Sequence, residues 1–340
     1  MQSNRIHYFD VAKGFLILMV VLQHMPQVAD LYSIHNNTFE IIRISSQSWT
    51  GYYMPAFFII TGICSNFTHP FKVFFFKNLK TLMIPCFTLM ALCVWIGNIL
   101  KGSLDIVDYL SVGFTSFFKS GGVYWFITAL FIAKILYWFI KNKVSSRLYC
   151  YIIMGIIMLL GCLCNNLLAF EPWHLWHALI LSPFLLLGDD IGTQFKNPPL
   201  HQWKLYWIIG PSLVYIILMI LLYVVDIKLP AVTQRIVLNW VEIPLLLLLA
   251  LSGSYYLMLV SKWINSCKCL EFLGRHTLVI YCLHVFFAQC MFMQFQISLN
   301  SNSYLSTLLT VGLIILNVIL CCIFSVVLNT KYLNFLIGKF

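Results

Sequence analysis

The sequence predicts an all-α fold: a polytopic membrane helix bundle of about ten transmembrane helices, with both termini cytoplasmic. Three observations carry that expectation. Of 340 residues, 61% are hydrophobic and 9% charged, where soluble domains run near half apolar and a quarter charged, so the chain has too few polar groups to coat itself for water. Apolar stretches recur at about the roughly 20 residues needed to cross a bilayer. The basic residues, finally, collect on alternate connections. This composition also excludes a disordered, collagenous or nucleic-acid-binding chain, since each needs charge or a compositional bias that is missing here.

In order, the spans are 11–29, 50–68, 81–100, 122–140, 148–168, 175–191, 205–225, 237–260, 276–296 and 304–328. From a cytoplasmic N-terminus, the inner segments hold Arg5, Lys13, Lys72, Lys77, Lys80, Lys141, Lys143, Arg147, Lys196, Lys204, Lys262, Lys268, Arg275, Lys331 and Lys339, which are 15 of the 21 basic residues. The outer segments hold Arg43, Lys101, Lys119, Lys228 and Arg235, an asymmetry of the positive-inside kind. Lys134 lies within the fourth span, near enough to its inner end for the ammonium to extend toward water. Residues 14–22 resemble a secretory apolar core, but Gln23, His24 and Pro26 follow without a small-residue cleavage pattern, so the first span is expected to be retained. Segments 30–49 and 101–121 are loop-sized. The expectation is a single integral-membrane domain over 1–340 with no soluble domain.

Cysteines are mostly in or beside apolar spans, where small polarizable side chains pack well. Cys162–Cys164 and Cys267–Cys269 are C-x-C pairs without the C-x-x-C or histidine spacing of a zinc site. Asp189-Asp190 reads as a solvated helix end with no third ligand nearby in sequence. No metal site is expected.

Ionisable groups in hydrocarbon cost several kcal/mol unless paired or hydrated, so the few that are present are informative. Asp10 and Lys13 lie three apart on one face at the inner end of the first span, where they can pair. His24 follows Lys13 by eleven residues, almost three whole turns, which puts it on the same face about 16 Å further along. One stripe thus carries a cation at the inner mouth and an imidazole deep toward the outer side. Tyr281 and His284 form a second pair on one face, either a polar stripe toward a substrate path or a buried hydrogen-bonded pair. Arg275 and Thr277 stand at the start of that helix, placed for donor contact or for N-capping. Trp173 and Trp176, in the run Glu171-Pro-Trp173-His174-Leu-Trp176-His177, fit an interfacial aromatic belt; the alternative is a stacking platform for sugar rings, with Trp49, Tyr52, Tyr53 and Trp125. Glu242 lies near the outer end of the eighth span, able to orient His24, bind an acceptor, pair with Arg235 or reach water.

Several runs together resemble the acyltransferase-3 family of integral-membrane acyltransferases. Asp10-Val-Ala-Lys13-Gly14, leading to Gln23-His24, is similar to its opening, a basic residue followed after ten positions by histidine. Met54-Pro55-Ala56-Phe57-Phe58-Ile59-Ile60-Thr61-Gly62 resembles its second-helix run. Lys77-Asn78-Leu79-Lys80-Thr81-Leu82-Met83-Ile84-Pro85 resembles its basic inner loop, and Tyr124-Trp125-Phe126 its Trp-Phe entry to the fourth helix. Gly274-Arg275-His276-Thr277, with Tyr281 and His284, resembles its late signature. The matches are in order and reach from residue 5 to about 290. Two departures are Gln23, where many members have glycine, and Lys77 with Lys80, where some have arginine.

The resemblance implies transfer of an acyl group, usually acetyl from acetyl-CoA, to a hydroxyl of a cell-surface carbohydrate or glycolipid, in the inner (cytoplasmic) membrane. It implies no tightly bound cofactor: acyl-CoA is a co-substrate, and the partners are that donor, the acceptor and the bilayer. The residues suit this. Lys13, Lys77, Lys80 and Arg275 at an inner mouth would hold the phosphates of coenzyme A, with Asp10, Tyr281 and His284 lining the way. His24 would act as general base toward the acceptor hydroxyl or as an acyl relay. Trp125, Trp173, Trp176 and Glu242 are the acceptor-side candidates. A transporter or flippase of lipid-linked saccharides is the alternative, against which stands the lack of paired broken helices in two halves.

Overall fold

The computed structural model describes residues 6–100, 124–168, 171–196, 205–224 and 242–339. Among them the regular structure is helical and no strand occurs. The chain begins with α1 (His7–Leu31), α2 (Asn37–Thr50), α3 (Tyr53–Cys64) and α4 (Phe71–Asn78), and a π turn (Leu79–Met83) leads into α5 (Ile84–Leu100). Then come α6 (Trp125–Lys143), α7 (Arg147–Leu167), α8 (Leu175–Lys196), α9 (Leu205–Val224) and α10 (Glu242–Ile264). A short α11 (Lys268–Arg275) precedes α12 (Thr277–Leu299) and α13 (Tyr304–Leu328), and a 3-10 turn (Asn334–Ile337) follows.

Among the described residues, eight helical segments are long and apolar enough to cross a membrane: His7–Leu31, Phe71–Gly97, Trp125–Lys143, Arg147–Leu167, Pro172–Gly192, Ile243–Ile264, Thr277–Leu299 and Tyr304–Leu328. Two shorter apolar helices, Tyr53–Cys64 and Ile208–Leu222, accompany them. The architecture is a polytopic helical bundle, and each apolar stretch of the sequence carries one of these helices.

Local chemistry explains the punctuation. Asp10 sits in the first turn of α1, and Lys141 and Lys143 in the last turn of α6, each complementing the partial charge of that helix end. Pro85 has no N–H and crowds the carbonyl one turn back. The ladder just before it accordingly widens into the π turn, where the Ile84 N–H reaches the Leu79 carbonyl. Ser303 caps α13, its hydroxyl accepting from the Ser306 N–H at 3.1 Å. Thr277 is not a cap: it is the first residue of α12, and His276 occupies the capping position.

Two other expectations change. Segment 30–49 contains α2 rather than a plain loop. Its face carrying Ile41 and Ile44 is exposed, while Arg43 binds Asp30 at 3.0 Å, the two-sided character of a helix lying along an interface. Lys134 lies in the middle of α6, not near its end, and its ammonium stands 5.8 Å from the Phe74 ring centroid, an arrangement that partly compensates a cation removed from water.

The residues gather into two compact units. One comprises Met1–Leu16, Gln47–Phe75 and Thr128–Arg275, the other Ile17–Ser46, Phe76–Ile127 and His276–Phe340. Each is discontinuous in sequence, and α1 contributes to both.

In the first unit α3 is buried almost all round, as befits a helix without a polar face, and it packs on α8 and α10. Glycine makes the α3–α8 approach possible. A Cβ on Gly62 would meet the Leu185 carbonyl oxygen, and one on Gly188 would meet that of Ile59, the close backbone approach that small residues permit in a bilayer. Further along α8, Asp189 and Asp190 are not a solvated helix end. Asp189 accepts from the Tyr137 hydroxyl at 2.6 Å and from Lys141 at 2.5 Å, and Arg147 bridges both carboxylates. With Asp189 only 16% exposed and Lys141 24%, Asp189→Asn is expected to cost about 2 kcal/mol, read as a lower melting temperature in detergent.

In the second unit α12 packs on α13 and α5, and the C-terminal 3-10 turn lies against α5. Gly338, at φ 71°, leaves no room for a side chain because a Cβ there would meet the Lys80 carbonyl oxygen. The Thr88 hydroxyl donates to the Leu336 carbonyl alongside.

Candidate active site

Within the second unit, α1 and α12 bring two histidines together. The rings of His24 and His284 stand edge to face with centroids 5.0 Å apart. Each is anchored in its own helix. His24 Nδ1 is 2.8 Å from the Val20 carbonyl oxygen, and His284 Nδ1 lies 3.1 and 2.8 Å from those of Ile280 and Tyr281. A carbonyl only accepts, so Nδ1 carries the hydrogen in both rings and Nε2 holds the lone pair of the neutral imidazole. His284 is 1% exposed, and among the described residues its Nε2 meets no hydrogen-bond partner. His24 is only partly buried. The pair therefore presents two ring nitrogens with free lone pairs, one on an enclosed ring and one on a partly exposed ring.

The surroundings are built from α12, α13 and the start of α6. Tyr281 is buried, its hydroxyl accepts from the Phe126 N–H at 3.3 Å, and the Tyr124 hydroxyl donates to the Cys282 carbonyl at 3.3 Å. Trp125, adjacent to both donors, is also buried. Asn317 is fully buried on α13 and donates to the His284 carbonyl at 2.9 Å, fixing the turn of α12 that carries the histidine. Sequence reasoning missed Asn317, although it is the one amide side chain in the apolar stretch 304–328 and a buried amide there needs a partner.

The first unit joins two of the sequence motifs. A Cβ on Gly14 would meet the Leu270 carbonyl oxygen, and one on Gly274 would meet the Asp10 carbonyl oxygen, so α1 and α11 touch backbone to backbone. Asp10 is buried there and Lys13 partly so. His7 and Ser266 bind the Glu271 carboxylate at 2.8 and 2.6 Å. These hydrogen bonds, Ser266 first, hold its carboxyl below the usual range. Arg275 is exposed, with its Nε donating to the Glu271 carbonyl at 3.2 Å. Trp173 and Trp176 belong to this unit and are half-buried. It also contains a small apolar cleft lined by Pro55, Met158, Cys162, Phe184, Leu246 and Ala250 among others, lined for hydrocarbon rather than for reacting groups. Lys77 and Lys80 belong to the second unit and are exposed. The side chain of Glu242 and all of Arg235 lie outside the described residues.

A bundle of helices long and apolar enough to cross a membrane defines a multi-pass membrane protein. The family model described as an acyltransferase domain, acyltransferase-3, matches residues 6–326; the chain belongs to that family. It is a membrane acyltransferase. No curated protein and no solved structure matches it.

Proposed function

We propose that the protein transfers an acetyl group from acetyl-CoA to a hydroxyl of a cell-surface carbohydrate or glycolipid, with His24 as the general base. The observation that carries this reading is the hydrogen bond from His24 Nδ1 to the Val20 carbonyl, which orients the ring and leaves Nε2 as the atom able to take the acceptor's proton. As the alcohol oxygen bonds to the thioester carbonyl carbon, Nε2 receives the hydroxyl proton. Collapse of the adduct then expels the coenzyme A thiolate, which takes that proton back as the thiol. An imidazole is suited to this because its ordinary pKa lies near working pH.

His284, packed on the His24 ring, acts as a positioning residue, and Asn317 holds the backbone behind it. The cations suited to donor phosphates are Lys13 and Arg275 in the first unit and Lys77 and Lys80 in the second, and the half-buried Trp173 and Trp176 of the first unit suit stacking with acceptor rings. In this reading the protein works in the inner membrane with both termini cytoplasmic, the orientation that the 15-to-5 asymmetry of basic residues supports.

The test is purified protein with acetyl-CoA, scored for free thiol with and without candidate carbohydrate acceptors. Acceptor-dependent thiol release is the expected outcome. Translocation of glycolipid by reconstituted vesicles lacking any acyl donor, without thiol release when the donor is added, would overturn the reading in favour of a carrier.

A further inference from the structure

The connection between α7 and α8 carries a second constellation, and the acyl-transfer reading makes no use of it. Glu171, His174 and His177 lie in one short turn, with one ligating atom of each within 4.8 Å of the others. His174 Nδ1 is 3.3 Å from His177 Nδ1 and 3.2 Å from Glu171 Oε2, and His177 Nδ1 contacts Glu171 Oε1. These spacings have a simple meaning. Metal–nitrogen bonds of about 2.0–2.1 Å at tetrahedral angles set ligand atoms about 3.3 Å apart. Two edges of the triangle already have that length.

The backbone is bent to achieve this. Trp173 and His174 both take left-handed conformations, with φ 50° and 52°, which L residues adopt only under steric strain. Two such residues in succession turn Glu171 and His174 toward the side of the helix where His177 stands. The Thr128 hydroxyl donates to the Trp173 carbonyl at 3.1 Å, and the His177 N–H to Glu171 Oε1 at 3.2 Å, holding the turn in place. Strain of this sort, retained by surrounding bonds, collects at functional sites. His177 is 3% exposed, Glu171 18% and His174 22%, so the cluster is sheltered on one side and reachable from the other.

We propose that Glu171, His174 and His177 bind a divalent transition-metal ion of the zinc class through Oε and the two Nδ1 atoms, with a fourth position left for water or an incoming oxygen ligand. This site is independent of His24 and stands or falls separately from the acyl-transfer mechanism.

The experiment uses the full chain in detergent, without a histidine tag, stripped with a chelator and then exposed to zinc sulfate and passed through gel filtration. The expected result is one zinc per chain and a raised melting temperature, with affinity lowered roughly 100-fold or more in His174→Ala and in Glu171→Gln. His174 is partly exposed, so its variant remains informative if the buried His177→Ala fails to fold. Equal zinc retention by wild type and His174→Ala would assign the metal to thiols elsewhere and overturn the proposal. So would a wild type that retains no zinc and shows no thermal shift, which would leave the cluster as a hydrogen-bonded Glu–His–His turn.

Discussion

His24→Ala is expected to lower acceptor-dependent thiol release by about 10²–10⁴-fold, the range that a positioned acid–base group supplies, at unchanged abundance and gel-filtration profile. Among the described residues the side chain hydrogen-bonds to the carbonyl four residues back in its own helix, so its removal leaves no long-range polar partner stranded there. His24→Gln sharpens the test, since it keeps polarity and approximate size but has no nitrogen lone pair to take a proton. Both variants should therefore lose rate while binding of acetyl-CoA, measured by equilibrium methods, is retained. Equal thiol release by wild type and variants would remove His24 from the mechanism without touching the family assignment.

The largest effect on folding is expected from the glycines that join α1 to α11. Gly274→Val and Gly14→Val each drive a branched side chain into a backbone carbonyl, Asp10 in one case and Leu270 in the other. Neither oxygen sits at the end of a flexible side chain, so the helices themselves must separate. The cost should exceed the ordinary overpacking range, at about 3 kcal/mol or more, and appear as aggregation or a lost monodisperse peak in detergent. Gly155→Ala and Gly312→Ala supply the comparison. A Cβ at either position meets nothing within 4 Å, and alanine is the better helix former by about 1 kcal/mol, so these two should be neutral or slightly stabilising.

How much of this was legible in the sequence depends on the kind of signal. The helical class and its apolar segments follow from composition and run length, because hydrocarbon tolerates only backbone that satisfies its own hydrogen bonds. The resemblance at Lys13, His24, Tyr281 and His284 pointed to the right family. The contact between His24 and His284 was not legible, since 260 residues of chain separate them and periodicity speaks only within one helix. Asp189-Asp190 was read as solvated for the same reason: its partners Lys141 and Arg147 come from other helices. The convergence of Glu171, His174 and His177 was not legible, because it depends on two left-handed residues, Trp173 and His174, and neither residue type announces that conformation. Asn317 alone carried a usable mark, a lone amide amid aliphatic neighbours.

The seat that Gly338 and Leu336 occupy beside Lys80 and Thr88 bears on how the orientation of this protein is measured. A reporter enzyme or fluorescent protein inserted close to Gly338 to map topology would tug on the turn that lies against Lys80. A tether of flexible glycine and serine inserted beyond Gly338, or a small epitope placed in another connection, avoids confusing a disturbed turn beside Lys80 with an inverted topology.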